Sequence, residues 1–387
     1  MMRFGILGCG YVSDSYLATR GNHTGCSIVG CCDQDGTRTR KLSEFGQIRP
    51  FTSLDEMLNC PDVDAVINLT NPRSHFDTTM ACLKAGKHVY SEKPIGITVQ
   101  EAQELLDLSK RQGLQLATAP CSVLSPAAQT LGRAIESGLI GKVRLVYANF
   151  DDGMIAPFMK PWKWTNAIGV PWPAKDEFEV GCTFEHAGYF LSWLCAFFGS
   201  ARKVTSFAGC LIPDKGIHVD RMAPDFTSGV LEFDAGVVAR VTCGLVAPLD
   251  KSMTVIGDEG VLYIANLRDD MGNVWHKPRE VSRWHARARN AIDKARHALG
   301  ACLPQDWIGW VKYPELRKLP LVGDLKPVPG DPEHKRADFL RGPAELAASV
   351  AEMRPCRLPG ELGVHMVEII EALQYPGEGP VVLKTKL

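Results

Sequence analysis

Gly8-Cys9-Gly10-Tyr11-Val12-Ser13 stands directly after an apolar run, and a carboxylate, Asp33, follows 20 residues beyond Ser13. The first glycine permits a tight turn and the second lets backbone approach a pyrophosphate, while the helix that opens there aims its amides at the negative charge. Ser13 replaces a third glycine and is small enough for close helix–strand packing. A carboxylate ending the second strand accepts hydrogen bonds from the adenosine ribose and repels a 2′-phosphate. Gly8, Gly10, Tyr11, Val12 and Asp33 are therefore expected to hold a dinucleotide, NAD in preference to NADP. Arg38 and Arg40 follow closely enough to leave NADP open.

His186, Tyr189 and Trp193 fall at i, i+3 and i+7 of one helical stretch, so His186 and Tyr189 share a face. Imidazole titrates near neutrality and a phenol beside a lysine can have its pKa lowered, so either suits acid–base work. Glu185 is expected on the other side of that helix. Upstream, Pro157-Phe158-Met159-Lys160-Pro161-Trp162-Lys163-Trp164 and Pro171-Trp172-Pro173 form a proline-rich, tryptophan-rich loop. Trp162 and Trp164 with Lys163 suit a pocket where a sugar ring stacks on indole and a lysine grips hydroxyls. The alternative is that these tryptophans are the loop's own packing core.

The first 120 residues alternate short apolar runs with amphipathic stretches, the pattern of a parallel sheet flanked by helices. Strands are expected at 3–7, 27–32, 65–69, 87–90 and 114–118. Capping boxes at Ser53/Glu56 and Thr98/Glu101 open two of the helices, and Ala102, Leu105, Leu106 and Ser109 form the buried stripe of the second. Beyond residue 122, Ser125-Pro126 opens another helix and strand-like runs follow, with Asp234-Ala235-Gly236 and Asp258-Glu259-Gly260 as hairpin turns. The fold class is α/β: a parallel sheet flanked by helices over 1–122, then an α+β domain over 123–387 built on a mixed or antiparallel sheet.

Lys+Arg number 43 and Asp+Glu 44 in 387 residues, so no basic field favours nucleic acid or an anionic membrane. No apolar run is long enough to span a bilayer. The N-terminus shows no secretory leader, and the cytoplasm is the expected location. Thirteen scattered cysteines lack zinc-ligand spacing and read as buried reduced thiols. His365 and Glu368 make a single H-x-x-E pair, which reads as structural, so no metal is expected. The basic stretch 277–296 is either a solvated face or a contact for an acidic partner.

The segments Ala65-Val66-Ile67-Asn68-Leu69-Thr70-Asn71-Pro72, His75, and Ala85-Gly86-Lys87-His88-Val89-Tyr90-Ser91-Glu92-Lys93-Pro94 resemble the Gfo/Idh/MocA family of oxidoreductases. The resemblance implies an N-terminal doubly wound Rossmann domain over 1–122 and an α+β substrate-binding and oligomerisation domain over 123–387 with an open, largely antiparallel sheet. It implies hydride transfer between NAD(P) and an alcohol carbon of a sugar, glycoside or cyclitol, and a homo-oligomer, dimer or tetramer. It implies that Thr70, Asn71, His75 and Glu92 line the cofactor site and that Lys93 hydrogen-bonds the reacting hydroxyl, aimed by a cis Lys93–Pro94 bond. The family's second motif, roughly G-G-x-x-x-D-x-G-x-H, aligns with 181–190 and puts His186 at the usual aspartate and Phe190 at the usual catalytic histidine. Acid–base work then falls to His186 or Tyr189. Two other functions stay open: a redox-neutral enzyme with retained NAD that eliminates or cleaves glycosides, and a non-catalytic NAD- and sugar-sensing regulator.

Overall fold

The computed structural model describes residues 1–155, 164–279, 316–328, 330–331 and 335–387. Six parallel strands form the first sheet: β1 (Met2–Leu7), β2 (Cys26–Cys32), β3 (Arg49–Pro50), β4 (Ala65–Asn68), β5 (His88–Ser91) and β6 (Leu116–Thr118), in the order β3-β2-β1-β4-β5-β6. The order reverses between β1 and β4, so a crevice opens beyond their carboxyl ends. Phe4, Ile6, Val66 and Ile67 are wholly buried, as strands covered on both faces require. The hydroxyl half of each capping box is made, the Glu56 and Glu101 amides donating to Ser53 and Thr98 at 3.1 Å, while the two carboxylates reach one residue further back, to the Thr52 amide at 2.7 Å and the Ile97 amide at 2.8 Å. The helix Val99–Arg111 buries the expected stripe of Ala102, Leu105, Leu106 and Ser109.

A nine-stranded sheet forms the second layer. Its central strands are β7 (Val143–Asp151), β8 (Ala201–Gly209), β9 (Phe226–Phe233), β10 (Val238–Gly244), β11 (Met253–Gly257) and β12 (Gly260–Ile264). Pairing is antiparallel except between β7 and β10, which run parallel. Both expected hairpins connect consecutive strands, β9–β10 and β11–β12. Phe150, Val146 and Ala148 of β7 point inward with Val255 and Val241, against the helix Gly188–Phe198. The outer face is open, with Phe207 and Val230 exposed.

The C-terminal helix Gly360–Gln374 lies between the two layers, against β8 and against the helix Val99–Arg111. His365 accepts the Ala201 N–H at 3.0 Å, and Glu368 accepts the Lys384 and Thr385 amides, which fixes the chain end to β8. Eleven described cysteines are buried and free, but Cys210 is exposed, contrary to the expectation that all are buried. No helix among the described residues is long and apolar enough to cross a membrane. Of the basic stretch, Lys277 and Arg279 are described and the remainder lies outside the described residues.

Candidate active site

The crevice beyond β1 and β4 continues into a cavity of about 600 Å³ that runs between the two layers. Gly8 has φ +92°, and a Cβ there would stand 2.7 Å from the Leu69 carbonyl and the Thr70 amide, so only glycine lets these two loops touch. A Cβ at Gly10 would meet nothing within 4 Å, which leaves room for a phosphate against the start of the helix Ser13–Ala18. The Asp33 carboxylate takes the Cys9 amide at 2.7 Å and the Asp35 amide at 2.8 Å. Each oxygen keeps a second lone pair for a ribose hydroxyl. Arg38 and Gln34 line the same end. These residues fit an NAD(P) molecule.

A carboxylate at Asp33 would repel a 2′-phosphate, which gives a testable expectation. Asp33→Asn keeps an acceptor for Cys9 and removes the repulsion of a 2′-phosphate, so the preference for NAD over NADP should narrow by about tenfold or more. Dissociation constants of both nucleotides, from quenching of protein fluorescence, check this; an unchanged ratio contradicts it.

Lys93 follows β5, and the Lys93–Pro94 bond is cis. Its ammonium donates to the backbone oxygen of Glu185 and to Glu185 Oε2 at 3.0 Å. Two of its three donors are thereby used, and one remains for a ligand. Glu92 is spoken for: Oε1 accepts the Tyr16 hydroxyl at 2.7 Å and Oε2 the Lys93 amide at 3.1 Å. Tyr189 stacks on Phe150 at 4.7 Å, and its ring lies 5.7 Å from Lys93 Nζ and 4.9 Å from the Arg268 guanidinium carbon. Tyr189 lines the cavity, and its hydroxyl makes no hydrogen bond to a described residue.

A second cluster comes from the ends of three strands. Asp152 leaves β7, Lys251 precedes β11 and Arg268 follows β12. Reciprocal backbone bonds between Asp151 and Asp250 set Asp152 beside Lys251. Asp152 Oδ1 pairs with Lys251 and Oδ2 with His186 Nε2 at 3.2 Å, while His186 Nδ1 is buried without a partner.

Burial alone would lower the Lys93 ammonium, but Glu185, with Tyr189, Glu92 and Glu177 behind it, outweighs burial and holds it above the usual lysine range. Burial brings His186 down to about 3; Asp152 opposes this, while Lys93, Lys251 and Arg268 add to it. Tyr189 is pushed up by burial against the opposing pull of Arg268 and Lys93. At neutral pH the site thus presents an ammonium, a neutral imidazole and a protonated phenol. Glu177 is pushed well up by burial and by neighbouring Glu185, and its Oε2 has no partner.

Held well above its ordinary value, Glu177 keeps its proton in the fold to higher pH than in the unfolded chain, where it ionises above about pH 4.3. Its contribution is therefore full at acid pH and is lost as pH rises from the ordinary carboxylate range through the raised folded value. Glu177→Gln should leave Tm unchanged near pH 4 and raise it by about 2–4 °C at pH 8. Melting curves at both pH values decide it; equal shifts at the two pH values contradict it.

Several sequence expectations need correction. Glu185 does not face away: the short helix Cys182–His186 ends at the cavity, so residues about 100° apart on its last turn both reach it, Glu185 to Lys93 and His186 to Asp152. The expected imidazole titrating near neutrality and the expected lowering of the phenol pKa both fail, because burial dominates. Trp193 points into the core and donates to Ser122 at 3.0 Å. Trp164 packs edge-on against Trp172 at 5.8 Å, and it is Trp172 that lines the cavity. Trp162 and Lys163 lie outside the described residues. Asn71 bonds Asp176 at 2.6 Å, and buried His75 ties the Thr70 carbonyl to that of Pro94, so both brace the crevice as well as line it. Sequence reasoning missed Asp152, Lys251, Arg268 and Glu177. Among the described residues no group of His, Cys, Asp and Glu could hold a metal ion.

Residues 2–119 match the model of the oxidoreductase family with NAD-binding Rossmann fold, and residues 128–263 match the GFO/IDH/MocA C-terminal domain. The chain belongs to the GFO/IDH/MocA family and is an NAD(P)-dependent oxidoreductase. It is 25% identical over 269 residues to trans-1,2-dihydrobenzene-1,2-diol dehydrogenase of Sus scrofa, covering 68% of this chain and 74% of that one. It is 28% identical over 167 residues to 1,5-anhydro-D-fructose reductase of Ensifer adhaerens, covering 42% and 49%. The fold resembles the crystal structure of aldose-aldose oxidoreductase from Caulobacter crescentus, with TM-score 0.73, 17% identity and 99% of each chain covered.

Proposed function

We propose that the protein oxidises a secondary alcohol of a sugar, glycoside or cyclitol, or reduces the matching ketone. The observation that carries this reading is the meeting of the remaining Lys93 donor and the unpartnered Tyr189 hydroxyl in one cavity with the dinucleotide crevice. The names of the relatives support it, since they act on a cyclic diol and on an anhydro sugar. Nicotinamide, when bound, supplies the hydride acceptor or donor.

The chain's own part is the proton and the charge on oxygen. Lys93 and Tyr189 donate to the reacting oxygen and stabilise the alkoxide that develops there. In the oxidative direction the hydroxyl proton passes to Lys93 Nζ as Lys93 passes one of its own to Glu185 Oε2, which leaves Lys93 an ammonium and Glu185 a carboxylic acid. In the reductive direction the same proton returns. Lys93, held above its usual range, stays the charged donor at the oxygen, and Glu185 Oε2 is where the proton comes to rest. Neutral His186 and Asp152 hold the wall behind Tyr189. With an internal base in Lys93 and Glu185, the site does not depend on the histidine that Phe190 replaces.

The test is NADH absorbance with purified protein, NAD and a panel of sugars, sugar acids, glycosides and cyclitols, followed by product analysis. NADH formed with one class of compound supports the reading. Product without NADH would replace it with redox-neutral chemistry, and nucleotide binding without any product would replace it with a sensor.

A further inference from the structure

Buried cations in this protein come with carboxylates. Lys93 has Glu185, Lys251 has Asp152, Lys215 has Asp225 and Arg341 has Asp270. Arg268 departs from that pattern. Its backbone is fixed by the Asn266 side chain at 2.9 Å and its guanidinium lies 4.9 Å from the Tyr189 ring centroid, inside the cavity. Its Nε is buried without a hydrogen-bond partner, and Asp152 and Glu92 act on the half-buried guanidinium through space with no ion pair to it among the described residues. A buried N–H without an acceptor is costly, and the aromatic face offsets only part of that cost. A guanidinium presents a planar fork of donors, and such a fork matches a carboxylate in bidentate geometry.

Lys93 lies against the same tyrosine ring, at 5.7 Å. A molecule whose carbinol oxygen takes the free Lys93 donor can therefore place a second polar group at Arg268 by spanning one aromatic ring. The dinucleotide phosphates have their own seat at Gly8–Val12 and the following helix start, on the other layer.

We propose that the substrate is a sugar-type hydroxy acid, an aldonate or uronate, whose carboxylate Arg268 binds while Lys93 and Tyr189 hold the reacting carbinol. This rests on the oxidoreductase reading above, and it narrows the substrate class from neutral polyols to acids. It also makes Arg268 the residue that discriminates between the two.

Calorimetric titration of the protein–NAD complex with D-gluconate, D-glucuronate, methyl glucoside and glucose 6-phosphate tests it without requiring turnover. The acids should bind and the neutral glycoside should bind at least about tenfold more weakly. Arg268→Gln should weaken the acids by about 10²-fold and leave NAD affinity unchanged. Arg268→Lys keeps the charge without the fork and should lose part of that affinity, and its melting curve controls for folding. Equal binding of acid and glycoside, no binding of either acid, tighter binding of the phosphate than of the carboxylates, or loss of NAD affinity in Arg268→Gln would each overturn the proposal. Acids that bind but yield no NADH would instead count against the redox reading and leave the Arg268 assignment standing.

Discussion

Lys93→Met is expected to lower kcat roughly 10³–10⁴-fold while NAD affinity stays within about twofold, because the change removes both the donor at the reacting oxygen and the proton relay. The substitution has a structural side too. It leaves the Glu185 carboxylate buried, 9% exposed, without its cation, which is destabilising by several kcal/mol in such pairs. Glu185→Gln in the same chain removes the stranded charge, so Lys93→Met/Glu185→Gln should recover much of the lost Tm. It should recover none of the lost kcat. Steady-state rates, NAD titrations and melting curves on the single and double variants separate the two effects. A double variant that regains activity would reduce Lys93 to a folding role.

Tyr189→Phe should cost about 10²-fold in kcat with a much smaller rise in KM, since its hydroxyl holds the reacting oxygen and bonds most strongly to the charge that develops there in the transition state. The ring remains, so Phe150 keeps its stacking partner and Lys93 and Arg268 keep theirs. The fold is thus unaffected and the loss reads on the hydroxyl alone. An unchanged kcat removes the phenol from the chemistry, and a rise in KM alone makes it a binding group. His186→Asn is the control: a ring already held neutral at about 3 stores no proton near neutrality, so its loss should fall well below that of Lys93→Met.

The crevice around Gly8 and Asp33 was legible because its information is local. Gly8 and Gly10 follow the strand they serve, the caps at Ser53 and Thr98 sit three residues from their partners, and Asp33 ends the next strand. The substrate half was not, for a matching reason. Asp152 stands about a hundred residues before Lys251 and Arg268 in the chain, and the three meet only through the register of β7, β11 and β12. No periodicity in one segment announces that register. Helical spacing placed His186 and Tyr189 on one face correctly, yet it misplaced Glu185, because the chain enters the cavity end-on at Ala187 where face arguments lapse. The pKa directions were misread because they depend on burial, which the sequence does not state. Tyr189 sits beside a lysine as expected, but burial outweighs that charge.

The most direct measurement uses the compound that forms NADH fastest, synthesised with deuterium on its carbinol carbon. Mass spectrometry of the NADH should find one deuterium per molecule, with slower turnover than for the unlabelled compound. NADH free of deuterium would show that the carbinol hydrogen does not move as hydride, and the roles given to Lys93 and Tyr189 would fall with it.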